Sequence, residues 1–175
     1  MMLNIRRMEE RDVCQAAALE AANFPDPWTE KAFLEALCLD YAFYYVAEEK
    51  MEEPPGPAET GEGNGVVGIC GLRNLAGEGE ITNVSVDSRY RRMGIAAAML
   101  GRVLADGAGL GIEAFTLEVR CGNFPAICLY EKFGFKREGV RRGFYENPKE
   151  DALILWKRQE SNGTITTVFA DGVHV

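Results

Sequence analysis

The sequence predicts an α/β (α+β) domain built around one mixed sheet. Two observations carry that prediction. Segments with strand-like alternation and segments of helical period follow one another in the order βααβββαβαββ, with no internal repeat. The chain has 175 residues, the length of a single domain of roughly 100–200 residues, and 47% of them are hydrophobic, enough to fill a core.

Each element follows from its residues. Leu3 and Ile5 alternate with polar neighbours and give a first strand. An alanine-rich stretch holding Val13, Ala16, Leu19 and Glu20 gives a helix over 12–22. Phe24-Pro25-Asp26-Pro27 ends it, since two prolines so close disfavour helix. Thr29 is an N-cap for a second helix running to about residue 39, and Trp28 and Phe33 fall at its staple positions. The aromatic run AFYYVAE, 42–48, is a strand. Residues 50–65 (KMEEPPGPAETGEGNG) have almost nothing to bury, which predicts a mobile acidic loop inserted between two strands. A strand follows over 66–72. In 80–86, Val84 and Val86 share one face while Ile81 is out of phase, and a β-bulge near Asn83 reconciles them. Ile95, Met99 and Val103 form the stripe of a helix over 95–108, and 115–120 is a strand. Asn123 caps a further helix that tolerates Pro125 early and ends with Gly134 at C′. Two closing strands occupy 135–140 and 151–156.

The charge balance narrows the function. Nineteen Lys and Arg against 27 Asp and Glu give a net charge of -8, which argues against a nucleic-acid coat or a polybasic membrane binder. The six glutamates and one lysine of 48–62 carry -5 of that, so the remaining body carries only -3, with arginines clustered at 89–92. No apolar run approaches the roughly 20 residues of a membrane span, and the N-terminal MMLNIRRMEERD has no signal-peptide core. A soluble cytoplasmic protein, monomer or weak dimer, with no membrane or nucleic-acid partner, is the expectation. The five cysteines (Cys14, Cys38, Cys70, Cys121, Cys128) are scattered without a C-x-x-C pair, so reduced thiols and no structural zinc are expected. The single histidine, His174, sits beside the C-terminus, which removes Ser-His-Asp, Cys-His and multi-histidine metal mechanisms. Acid–base chemistry falls to carboxylates, Tyr, Lys, Cys or water, and no metal is expected.

The stretch from Val84 to Ala97 is the most informative. A strand ends, a basic glycine-containing turn follows, and a helix starts. Free N–H groups and the positive end of the helix dipole can hold a phosphate there, with Gly94, Ala96 and Ala97 allowing close approach. Read alone, the turn is more readily a capped helix with solvated arginines, since short motifs of this kind often occur without a ligand. Its pattern R-x-x-G-x-A after a strand resembles the pyrophosphate signature of the GCN5-related N-acetyltransferase (GNAT) superfamily. The ordered set Asn83-Val84-Ser85-Val86, Tyr90-Arg91-Arg92-Met93-Gly94, Leu117-Glu118-Val119-Arg120, Asn123, Ala126-Ile127, Leu129-Tyr130-Glu131, Gly134-Phe135, Phe144-Tyr145 and Glu150-Asp151-Ala152 resembles the RimI-like ribosomal-protein alanine N-acetyltransferases, as do Pro27-Trp28-Thr29 and Phe33.

The resemblance covers residues 1–157 as one acetyltransferase domain and leaves 158–175 as a tail of unknown role. It implies the GNAT fold: six or seven strands in a mixed sheet, about four flanking helices, and acetyl-CoA in a V between two splayed parallel strands, 80–87 and 114–120. It implies that Val84, Ser85 and Val86 line the pantetheine, that Arg92, Met93, Gly94, Ile95, Ala96 and Ala97 wrap the pyrophosphate, and that Asn123 binds the arm near the thiol. Glu118 resembles the proton acceptor and Tyr130 the acid that protonates the leaving thiolate. Read from the residues alone, Glu118 is an exposed strand residue paired with Arg120, and Tyr130 a core aromatic sharing a face with Ile127 and Phe133. Trp28, Phe144 and Tyr145 resemble the peptide-binding rim, and the implied partner is the N-terminal peptide of the eighteenth small-subunit ribosomal protein. Other protein N-termini, lysines or small amines are an alternative acceptor class, a non-catalytic acetyl-CoA sensor is another reading, and Cys121 or Cys128 offers a covalent route in place of direct transfer. Three features depart from the pattern: Asp26-Pro27 lengthens the Phe-Pro-Trp run, the 50–65 insert is long, and 161–175, with a strand-like run at 164–169, has no counterpart.

Overall fold

The computed structural model describes residues 2–50 and 65–158. Most of the acidic insert, the 164–169 run and His174 lie outside the described residues. The elements are β1 (Met2–Arg7), α1 (Val13–Asn23), α2 (Glu30–Leu37), β2 (Ala42–Lys50), β3 (Val66–Leu75), β4 (Glu78–Val86), α3 (Ile95–Gly109), β5 (Ala114–Arg120), α4 (Phe124–Lys132), β6 (Lys136–Glu146) and β7 (Lys149–Arg158). Short 3₁₀ turns, Glu10–Asp12 and Ser88–Tyr90, precede α1 and follow β4. One seven-stranded sheet has the order β1-β2-β3-β4-β5-β7-β6, and the expected mixed sheet with four helices is what forms.

Alternation along the strands splits the core into two layers. Tyr44, Val46 and Ile69 face α1 and α2, where they meet Val13, Ala16, Leu19 and Phe33. Tyr45, Ala47, Cys70 and Leu72 face the other way, onto Ile95, Met99 and Val103 of α3 and Ile127 and Tyr130 of α4. Burying a Leu, Ile, Val or Phe side chain contributes about 1.5–3 kcal/mol, so these two layers are the main stabilising term. No helix among the described residues is long and apolar enough to cross a membrane.

Local chemistry sets the helix ends as the sequence predicts. Thr29 accepts from the Ala32 N–H at 3.2 Å, and Trp28 packs tilted against Phe33 with centroids 5.3 Å apart, completing the cap and the staple. Asn123 accepts from the Ala126 N–H at 3.3 Å. Gly134, with φ of 86°, closes α4: its N–H reaches the Glu131 carbonyl and the Phe135 N–H reaches the Tyr130 carbonyl, the two bonds of a Schellman motif. The accompanying apolar contact is Tyr130 against Phe135, edge-on at 5.8 Å.

All strands pair antiparallel except β4 and β5, which run parallel and share only Glu78–Glu80 against Ala114–Thr116. Beyond those three residues the two strands separate, leaving the facing backbone edges of 81–86 and 117–120 without a strand partner among the described residues. The expected bulge is present: Cys70 pairs with Val84 but Leu72 with Ile81, one residue extra on β4 around Thr82 and Asn83. Gly71 lies opposite it, where a Cβ would sit 2.3 Å from Thr82 Oγ1 and 2.5 Å from Asn83 Oδ1.

The closing strands run further than the alternation indicates. β6 continues to Glu146 and β7 begins at Lys149, forming a hairpin. Between Arg141 and Tyr145 the register slips by two residues, Gly143 takes a φ of 61°, and its N–H bonds Asp151 Oδ1 at 2.7 Å. That irregularity breaks the period-two pattern, which is why 141–146 does not read as strand.

Candidate active site

The V between β4 and β5 has two different faces. Along β5, Leu117 and Val119 are buried against α3 and α4, while Thr116, Glu118 and Arg120 point the opposite way, toward the side of α1 and α2. Tyr130 belongs to the first face and Glu118 to the second. The two expected proton carriers thus approach the split from opposite sides of the sheet.

Tyr130 is 7% exposed, its ring fixed by the helix-terminating motif, and its hydroxyl takes no hydrogen bond among the described residues. Burial pushes its phenol far above the usual tyrosine range, with the thiol of Cys70 and the phenol of Tyr145 as lesser causes. It therefore carries its proton at all physiological pH. Cys70 is itself pushed up to about 12 by burial and stays a thiol.

Glu118 is paired, but not with Arg120. Its Oε1 lies 3.1 Å from a guanidinium nitrogen of Arg141 on β6. Arg120 is committed elsewhere: it donates to the carbonyls of Asn147 (2.8 Å) and Pro148 (2.9 Å) and to Glu150 (3.1 Å), and its guanidinium covers the Tyr145 ring at 4.1 Å. Glu150 in turn accepts from the Gly122 N–H at 2.7 Å. Arg120 thus clamps the β6–β7 turn to the end of β5 and holds Tyr145 near Glu118. Burial raises the Tyr145 phenol, and the charge of Glu118 adds to that rise against the opposing pull of Arg120. Phe144 is 41% exposed and edge-on to Tyr145 at 5.0 Å. Trp28, the third expected rim residue, is half-buried between Phe33 and Tyr44, with Arg73 stacked over it at 5.5 Å.

At the open end of the V, Arg92 and Gly94 both take positive φ, 61° and 83°, and α3 begins at Ile95. The Ala98 N–H is the first to bond inside the helix, to the Gly94 carbonyl, so the N–H groups of Ile95, Ala96 and Ala97 are the helix's open donors. Met93 is 54% exposed at this turn. The arginines divide. Arg89 is engaged by Asp87 (2.7 Å), and Arg91 by the Val86 carbonyl (3.3 Å) and Asn23 Oδ1 (2.5 Å), whereas Arg92 has no ion pair among the described residues. Asn23, at the end of α1, also donates to Ser85 Oγ (2.7 Å) and the Val86 carbonyl (3.1 Å), which ties α1 to the β4 edge. Val84 and Val86 pack on the α3 side.

Sequence reasoning misses Asn23, Arg141 and the position of Glu20 beside the V. Glu20 has a signal: it falls on the buried stripe of α1, seven residues after Val13 and four after Ala16. It is 2% exposed and accepts from Asn83 Nδ2 at 3.3 Å and from the Trp28 N–H, and burial raises its carboxyl pKa against those two bonds. Arg141 has none, because the bulge beside it hides its direction.

The whole-chain comparisons agree with this geometry. The acetyltransferase (GNAT) family matches residues 14–135. The [ribosomal protein bS18]-alanine N-acetyltransferase of Escherichia coli is 27% identical over 157 residues, 88% of this chain and 96% of that protein. The N-alpha-acetyltransferase RimI of Mycobacterium tuberculosis is 32% identical over 159 residues, 87% of this chain and 90% of that one. Among solved structures, the Escherichia coli ribosomal-protein-S18-alanine N-acetyltransferase superposes with a TM-score of 0.76 at 25% identity, covering 94% of this chain and 98% of that one. Arabidopsis thaliana NAA60 in complex with acetyl-CoA shares the fold at a TM-score of 0.77 and 18% identity, covering 90% of this chain and 98% of that one. The chain belongs to the acetyltransferase (GNAT) family, and within it is RimI-like.

Proposed function

We propose that the enzyme transfers the acetyl group of acetyl-CoA to the N-terminal α-amino group of a protein, the N-terminal alanine of the eighteenth small-subunit ribosomal protein, by direct transfer in a ternary complex. One observation carries the reading: the parallel pair that separates after three residues, with backbone on both edges unpaired among the described residues and the N-terminus of α3 at its mouth. That arrangement suits an extended chain ending in a pyrophosphate. The family and the relatives named for this acceptor support the rest.

Bound acetyl-CoA supplies an activated thioester. Backbone groups of Val84, Ser85 and Val86 line one edge of the split, the N–H groups of Ile95, Ala96 and Ala97 with Arg92, Met93 and Gly94 receive the pyrophosphate, and Asn123, beyond its capping bond, faces the thiol-proximal arm. An α-amine has a pKa near 7.7–8.0, so Glu118 takes the proton that the attacking nitrogen must lose, directly or through a water. Tyr130, kept protonated by burial, gives its proton to sulfur as the C–N bond forms and the C–S bond breaks. Protons leave on one face of the sheet and arrive on the other, which keeps base and acid apart. Phe144, Tyr145 and Trp28 bound the acceptor side. Cys121 and Cys128, half-buried and exposed, need no role in this scheme.

Mass spectrometry of acetyl-CoA with an alanine-starting peptide of that ribosomal protein, a lysine-only peptide and small amines tests it. One acetyl group at the alanine nitrogen is expected. Acetylation only of the other amines overturns the acceptor, and cofactor binding without transfer overturns the reaction.

A further inference from the structure

Arg141 stands outside every role above, yet it makes the one ion pair to the base among the described residues. β7 lies between β5 and β6, with Ile154 paired to both Glu118 and Gly139, and Ala152 to both Arg120 and Arg141. Arg141 must therefore reach across a whole strand, roughly 4.8 Å per spacing, to touch Glu118. Ala152, with only a methyl group, leaves that path open. The irregular register after Arg141 and the Gly143–Asp151 bond set the direction of the chain there, and Phe144 stacks under the guanidinium at 5.0 Å. The charged groups on the neighbouring strand positions have other partners: Arg120 pairs with Glu150 and Glu80 on β4 with Arg73, and the Tyr145 ring lies beneath Arg120. β7 presents Ile154.

The charge of this pair bears on the chemistry. A lone carboxylate binds an ammonium and favours its protonated, non-nucleophilic form. A carboxylate already paired with a guanidinium has little net charge and does not trap the acceptor in that form. We propose that Arg141 is a positioning residue for acetyl transfer: its guanidinium holds the Glu118 carboxylate in place and keeps it from capturing the acceptor as an inert ammonium. The same contact links the Phe144 rim to the base, so acceptor docking and base alignment are coupled. This rests on the assignment of Glu118 as base.

A double-mutant cycle tests the proposal, with steady-state kinetics on acetyl-CoA and the alanine-starting peptide for wild type, Arg141→Gln, Arg141→Lys, Glu118→Gln and the Glu118→Gln/Arg141→Gln double variant. Arg141 is largely exposed, so its variants fold. Arg141→Gln should lower kcat about 10-fold while peptide KM stays the same or falls, Arg141→Lys should recover most of kcat, and on the Glu118→Gln background Arg141→Gln should change neither by more than about 2-fold. A raised peptide KM with unchanged kcat would make Arg141 only a rim residue and overturn the proposal, as would an equal kcat loss on both backgrounds. If Glu118→Gln keeps wild-type activity, the base assignment falls and the proposal with it. If the wild type leaves this peptide unmodified but acetylates another amine, only the acceptor reading falls, and the same cycle on that amine supports or overturns the role of Arg141 by the same criteria.

Discussion

Two buried carboxylate clusters sit on the same half of the sheet and are built in opposite ways. At the β1–β2 corner, Arg6 donates to both oxygens of Asp12 (2.7 and 2.8 Å) and twice to Glu48 (2.9 and 3.1 Å), and Asn4 adds a bond to Glu48 at 2.6 Å. Burial is the largest single influence and would raise both acids, but the Arg6 hydrogen bonds, the Glu9 N–H on Asp12, Asn4 on Glu48 and the charge of Arg6 together outweigh it and hold them below the ordinary carboxylate range. Beside the V, Glu20 is buried as deeply with only an amide and one backbone N–H to meet it among the described residues, and its pKa moves up. The corner uses a cation to lock three segments together. The site keeps an acid without one, next to the bulge that shapes the β4 edge.

The largest effect expected from this contrast is at the corner. Arg6→Met leaves two buried carboxylates unpaired, so chemical denaturation should show a loss of about 3–5 kcal/mol at neutral pH. Because both acids have lowered folded pKa values, the stability they contribute is present above their unfolded pKa values of roughly 4 and disappears as pH falls through the folded ones. The gap between Arg6→Met and wild type should therefore narrow in acid. A gap of under about 1 kcal/mol at pH 7 would mean that the corner is no more than a surface pair.

Changes at the V should spare stability and remove rate. Glu118→Gln should cut kcat about 100-fold at neutral pH, the usual contribution of a positioned base. Tyr130→Phe should cost about 10-fold, since the ring keeps its packing against Phe135 and only the proton is lost. Steady-state rates together with melting curves check both. A melting point lowered in step with the rate would show that the lost rate reflects lost fold, as at the corner, rather than lost proton transfer.

How much of the molecule is legible in its sequence follows the same division. The helix caps are readable because Thr29, Asn123 and Gly134 act within a few residues of themselves. The bulge is readable because Ile81 is out of phase with Val84 within one strand. The resemblance supplies the V, and no local pattern states that β4 and β5 part after three residues. Hidden throughout are the partners of charges. Glu118 pairs with Arg141 rather than Arg120, two of the three arginines at 89–92 are engaged by Asp87 and Asn23, and the Arg6 cluster joins residues 42 positions apart. Periodicity reports which face a side chain takes and nothing about which distant charge shares that face.

The smallest effect, and the sharpest test of the contrast, is Glu20→Gln. Gln has nearly the same shape and can still accept from Asn83 and the Trp28 N–H, but it is neutral at every pH. The folded pKa of Glu20 is raised above its unfolded value, so the folded chain holds that proton more tightly. Its stabilising contribution is complete below the unfolded value of roughly 4.3 and is lost as pH rises through the folded value. Wild type and Glu20→Gln should then melt together near pH 4, with the variant gaining on wild type as pH rises toward 8. Asp12→Asn, scanned the same way, should show the reverse: a deficit at pH 7 that closes in acid. If Glu20→Gln instead falls behind wild type as pH rises, the carboxylate beside the V is ionised and compensated, and the two clusters are built on one principle after all.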